Sequence, residues 1–97
     1  MEQRLSLVTL GVADLNRARR FYEEGLGWKR ANSEESVVFF QLSGMVLGLW
    51  SRKDLAEDAG LSDGGASFSG ITLAYNTRSR EEVDTVLAEA EAAGGRV

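Results

Sequence analysis

The sequence predicts an α+β fold: a strand, a helix and three further strands (a βαβββ module), followed by the start of a second β-α module, with a mixed sheet and helices on its outer face. Three observations carry this. Residues 5–12 alternate along a strand, residues 15–26 place apolar side chains at helical spacing ahead of glycine stops, and from Gly70 the strand–helix pattern begins again. A chain of 97 residues, 43% apolar and 27% charged, can build one core and not two. Residues 1–97 therefore read as a single domain, with a first module at 4–51, a connector at 52–69 and an incomplete second module at 70–97.

In residues 5–12, Val8, Leu10 and Val12 share one face and Leu5, Leu7 and Thr9 the other. Both faces are largely apolar, so this strand is expected to be covered on both sides. Asp14 can accept from the free N–H groups of a first helical turn. Leu15, Ala18, Tyr22 and Leu26 then form the buried stripe, with Arg17, Arg19, Arg20, Glu23 and Glu24 left to water. Gly25 and Gly27 end that helix. Residues 28–31 and 37–42 read as strands joined by Asn32-Ser33-Glu34-Glu35, and Ser43-Gly44 turns the chain into a third strand at 45–50.

The connector combines charge (Arg52, Lys53, Asp54, Glu57, Asp58) with glycine and serine. A short helix at 53–59 is expected, and the Ser62-Asp63-Gly64-Gly65 piece is expected to be mobile. No Gly-x-x-x-x-Gly-Lys pattern is present, so these glycines do not mark a phosphate loop. In the second unit, Ile71-Thr72-Leu73-Ala74-Tyr75 can be laid on Val8-Thr9-Leu10-Gly11-Val12. Ser79 and Glu82 then form a capping box for a helix whose stripe is Val83, Val86, Leu87 and Ala90, stopped by Gly94-Gly95. Arg96-Val97 reads as the start of another strand.

Fifteen acidic against 11 basic side chains give a net charge of −4, which argues against binding nucleic acid through general electrostatic attraction and makes a cationic partner the more natural one. Cysteine is absent, which removes disulfides, thiolate metal sites and cysteine nucleophiles. Residues 1–5 carry no apolar run of signal-peptide length and no stretch is long enough for a membrane span, so a cytoplasmic location is expected. Histidine is absent too, and the serines have no neighbouring base, so no nucleophile–base pair can be assembled. Glu34-Glu35 and Glu81-Glu82 read as surface and capping groups.

The run Leu7-Val8-Thr9-Leu10-Gly11-Val12-Ala13-Asp14-Leu15, with Arg17-Ala18, Phe21-Tyr22 and Leu26-Gly27-Trp28, resembles the opening of a vicinal-oxygen-chelate module. That superfamily comprises glyoxalases, bleomycin-resistance proteins and extradiol dioxygenases. Phe40, Gly44 and Leu47-Gly48-Leu49 continue the likeness, and Ile71 to Tyr75 with Glu82-Val83-Asp84 resembles the start of a second module. The resemblance implies two modules curled into a cup, with metal ligands on the first and last strands of each. It places those ligand positions at Leu7, at or near Gly48, and at Thr72, none of which can offer an imidazole or a carboxylate. No metal and no cofactor is therefore expected. Family domains are longer because the second module closes with strands of its own. This chain is accordingly expected to be truncated, with completion by a partner chain as the alternative.

Strand alternation, combined with the cup, assigns a lining. If Val8, Leu10 and Val12 pack under helices, then Leu7, Thr9, Phe39, Gln41, Trp50, Thr72 and Asn76 are the candidate ligand-binding residues, beside Val46, Gly48 and Ala74. Phe40 is expected under the helix. Trp50 offers a flat surface for an aromatic or cationic ligand, packing in a core or subunit interface being its other use. Trp28 reads as packing, and Arg52 and Lys53 as solvated charges that could meet an anion. The function this implies is metal-free binding of an aromatic or cationic small molecule in a cup at a homodimer interface. The alternative is a metal-dependent lyase or dioxygenase with ligands from outside this segment.

Overall fold

The computed structural model of the protein describes residues 1–31, 34, 36–61 and 68–96. The polar turn at Asn32, Ser33 and Glu35, the Ser62-Asp63-Gly64-Gly65 piece and the expected strand start at Val97 lie outside the described residues.

Four strands form one mixed sheet: β1 (Leu7–Val12), β2 (Val37–Gln41), β3 (Val46–Ser51) and β4 (Ile71–Ala74), in the spatial order β2-β3-β1-β4. β1 runs parallel to β3 and antiparallel to β4, and β2 and β3 form an antiparallel pair. An inner position explains why β1 is apolar on both faces.

On the outer face, α1 (Leu15–Arg20) packs Leu15 and Ala18 over Val38, Phe40, Leu47 and Leu49, which are the main core. Asp14 caps α1 as its sequence suggests, its carboxylate accepting from the Arg17 N–H at 3.1 Å. The helix then widens into a π-helical turn at Phe21–Gly25, closed by the Leu26 N–H on the Phe21 carbonyl at 3.0 Å. The wider turn shifts the stripe's phase. Tyr22 still reaches the core, but Leu26, expected in the stripe, is 50% exposed. Gly27, at φ 73°, turns the chain away.

The expected strand at 28–31 is reduced to one bridge, Arg30 to Phe40, with the Ala31 N–H on the Phe39 carbonyl at 2.8 Å. Side chains hold this segment in place of a ladder. The Trp28 ring lies 5.1 Å from Tyr22 and 5.8 Å from Phe40 between centroids, and the Arg30 guanidinium donates to Glu23 at 2.6 Å.

α2 (Arg52–Asp58) is capped by Ser51, whose hydroxyl accepts from the Asp54 N–H at 3.1 Å. It lies on the opposite face of the sheet from α1. Gly11 gives it a seat, because a Cβ there would stand 3.1 Å from the Arg52 Cα and 3.3 Å from Leu55 Cδ2. Leu55, Ala56 and Phe68 form a second small core against Trp50.

α3 (Arg80–Ala92) begins at the expected Ser79 cap and ends where Gly94 takes φ 109°. Its apolar stripe does not pack as periodicity suggests. No residue of α3 is buried, and Val83 and Leu87 are each 43% exposed. The described strands supply no covering layer on that side, and Ile71 and Leu73 of β4 are likewise exposed. Arg96 lies outside any strand.

Candidate ligand-binding cleft

The cross-strand register builds the site. Phe39, Gly48, Thr9 and Thr72 occupy one row across all four strands, with Gln41, Val46, Leu7 and Ala74 in the next. Residues directly opposite one another point to the same face, so both rows lie on the side away from α1. Phe40 and Leu49 alternate to the other side and are buried there. The absence of a side chain at Gly48 is used, since a Cβ at that position would lie 3.1 Å from Thr9 Oγ1 and 3.2 Å from Phe39 Cε1.

This face carries a cleft of about 430 Å³, closed at one end by α2. Of the candidate residues, Leu7, Thr9, Phe39, Trp50 and Thr72 line it together. Gln41 and Asn76 stand outside it. The Gln41 amide donates to the Leu42 carbonyl at 2.9 Å and so fastens the β2–β3 turn. Asn76 follows the end of β4, its N–H donating to Ser6 Oγ at 2.8 Å and its carbonyl accepting from Arg4. Sequence reasoning missed Leu73, which alternation assigns to the opposite face, and three further lining residues, Val37, Leu55 and Asp58. The alternation of Val37, Phe39 and Gln41 could have found Val37. Leu55 and Asp58 depend on where α2 sits, and no local signal states that.

The lining is mostly apolar, with polar groups at Thr9, Thr72, Trp50 and Asp58, the make-up of a small-molecule site. Arg52 and Lys53 are not among the lining residues. Arg52 instead donates to the Phe68 carbonyl at 3.0 Å, with its guanidinium 5.0 Å from the centre of the Phe68 ring.

Both the fold and the sequence agree with one family. The model of the Glyoxalase/Bleomycin resistance protein/Dioxygenase superfamily matches residues 4–97. The chain belongs to that superfamily. Among solved structures it is similar to a glyoxalase-related enzyme from Fulvimarina pelagi, at 33% identity and a TM-score of 0.60, over 98% of this chain and 68% of that one. It shares its fold with an NAD-dependent benzaldehyde dehydrogenase from Legionella pneumophila (22% identity, TM-score 0.65, 90% and 69% of the two chains). The same holds for a glyoxalase/bleomycin resistance protein/dioxygenase from Nocardioides (24%, 0.56, 99% and 65%). No curated protein matches the chain.

The superfamily's metal can be tested against the residues present. Thr9 and Thr72, equivalent in the repeat, also face each other across β1 and β4, so the pseudo-twofold axis passes between them. The counterpart of Leu7, two residues before Thr9, is therefore Gly70 and not Thr72, a correction of two positions. Gly70 has no side chain, and a Cβ there would collide with the Arg52 guanidinium. A carboxylate at position 48 would have to begin in the space Thr9 and Phe39 fill. Leu7, Gly48 and Gly70 thus supply no ligand, and among the described residues no three His, Cys, Asp or Glu side chains come together to hold a metal ion. The donor set does not fit a divalent metal. Among the described residues no helix is long and apolar enough to cross a membrane.

Proposed function

We propose that this superfamily member is a metal-free binding protein that holds an aromatic or cationic small molecule in the cleft between β1–β4 and α2. One observation carries this: the ligand positions Leu7, Gly48 and Gly70 offer no donor, while the face that carries Leu7 and Gly48 holds a largely apolar cleft of about 430 Å³ beside Trp50. Apolar walls supply affinity, and a few polar groups fix orientation. Sequestration of a drug or metabolite, as in antibiotic resistance, needs nothing more. Titration with bleomycin-type and other aromatic cationic compounds, followed by tryptophan fluorescence, should give saturable changes. Flat titrations with all of them would remove this function.

A catalytic role is the second possibility, favoured by 33% identity to a glyoxalase-related enzyme. It requires metal ligands from outside the positions named above. Elemental analysis separates the two, since about one tightly bound divalent metal per chain would exclude the first and revive the second.

A further inference from the structure

We infer that the cleft selects for a ligand with an apolar or aromatic body and one positively charged group, and that Asp58 is the residue that imposes the charge requirement. This deepens the function proposed above and rests on it. Among the described residues Asp58 is the one charged residue lining the cleft; it lies exposed at the cleft's edge, and its carboxylate makes no hydrogen bond or ion pair with any of them. Neighbouring cations do not reach it, Arg52 being turned to the Phe68 carbonyl and ring.

A second feature points to the same ligand chemistry. Asp58 is the last residue of α2, whose final turn holds no basic side chain. An acid there faces the negative end of the helix dipole, an arrangement that isolated helices disfavour. Local rules broken at a cleft are where function is to be expected. The carbonyls of Leu55, Ala56 and Glu57 are already paired with the N–H groups of Ala59, Leu61 and Gly60, so a cation bound there would answer the Asp58 carboxylate itself. Trp50 and Leu55, which line the same cleft, supply apolar surface for the body of the ligand, and the indole face can add cation–π attraction. An anion would meet only repulsion, in a chain already at −4.

The test uses three probes of one shape: 4-phenylbutylamine, 4-phenylbutanol and 4-phenylbutyrate. Trp28→Phe leaves Trp50 as the sole tryptophan, so that fluorescence excited at the indole reports the cleft. The amine should bind roughly 1.5-fold to fivefold more tightly than the alcohol, the range of a solvated ion pair, and the carboxylate more weakly than either. In Asp58→Asn the amine-to-alcohol ratio should fall to about one, and in Asp58→Lys the order of amine and carboxylate should reverse. Saturable binding of all three probes with equal constants would leave the binding function standing and overturn the role of Asp58. An amine preference that survives in Asp58→Asn would do the same. Saturation by none of the probes would overturn both.

Discussion

Gly48 shows how far one residue sets this site. Its missing side chain lets Thr9 and Phe39 close over the sheet at 3.1 and 3.2 Å from where a Cβ would be. Phe39 can give way only into the cleft, while Thr9 is held between β3 and β4. Gly48→Ala should therefore destabilise the protein by about 1 kcal/mol, overpacking outweighing the smaller gain from restricting the unfolded chain. A lower urea midpoint at an unchanged m value would register it, whereas an unchanged or raised midpoint would mean the row has slack. Leu55 offers the opposite change, since it is 2% exposed and joins the second core to the cleft. Leu55→Ala should cost about 2–5 kcal/mol in the same measurement. Period-two alternation makes Leu7, Thr9, Phe39, Trp50 and Thr72 legible in the sequence. Leu55 and Asp58 are not legible there, because their place depends on α2 resting against the backbone of Gly11, a contact between residues some forty positions apart.

Among the elements, α1 and α3 look alike in sequence and behave differently. Each has a cap and an apolar stripe and neither has a fully buried residue, but Leu15 and Ala18 of α1 pack against the main core, whereas no residue of α3 joins either core. A helix of 13 residues whose tertiary contacts among the described residues are confined to the N-terminal segment, where the Met1 ammonium meets Glu89, is marginal in water. Periodicity states which face of α3 is apolar and cannot state whether anything lies against it. Ser79 caps α3 through the Glu82 N–H at 3.4 Å, and the Glu82 carboxylate accepts from the Arg78 N–H at 3.3 Å. Ser79→Ala should weaken α3 by about 1 kcal/mol, seen as faster amide exchange along 80–92, while the urea midpoint of the sheet stays in place. A shift of both together would show α3 to be coupled to the core. The segment at 28–31 is held by the Arg30–Glu23 bridge, and the Arg30 guanidinium keeps the Glu23 carboxyl below the usual glutamate range, against a smaller opposing effect of burial. A lowered folded-state pKa means that the bridge's contribution is complete above the unfolded glutamate pKa and is lost as pH falls through the folded one. Carbon NMR should place the Glu23 midpoint below that of a free glutamate, and Arg30→Gln should raise it. An equal midpoint in both forms would dissociate the bridge from the titration.

At the scale of the whole molecule, the repeat is legible as a pattern, and the register of β1 on β4 gives it a geometric meaning: an antiparallel pair centred on Thr9 and Thr72. The cup lining follows from that pattern, but the covering of the outer face does not. β1 is flanked on both sides, whereas β4 pairs with β1 alone among the described strands and exposes Ile71 at 49% and Leu73 at 62%. An edge strand with apolar side chains and no charge along its length is a surface that proteins seldom leave bare in solution. The sequence of β4, Ile-Thr-Leu-Ala, has none of the lysine, proline or bulge devices that protect such edges. A second copy of the chain pairing through β4 would bury this face on both partners at once, as an isologous interface does. Light scattering should thus give twice the chain mass of 10.6 kDa. Ile71→Asp should convert it to the single-chain mass without loss of the circular dichroism of the sheet, because Ile71 is exposed within one copy and does not line the cleft. A single-chain mass for the unsubstituted protein at micromolar concentration would exclude the dimer, and a dimer that persists in Ile71→Asp would move the interface away from β4.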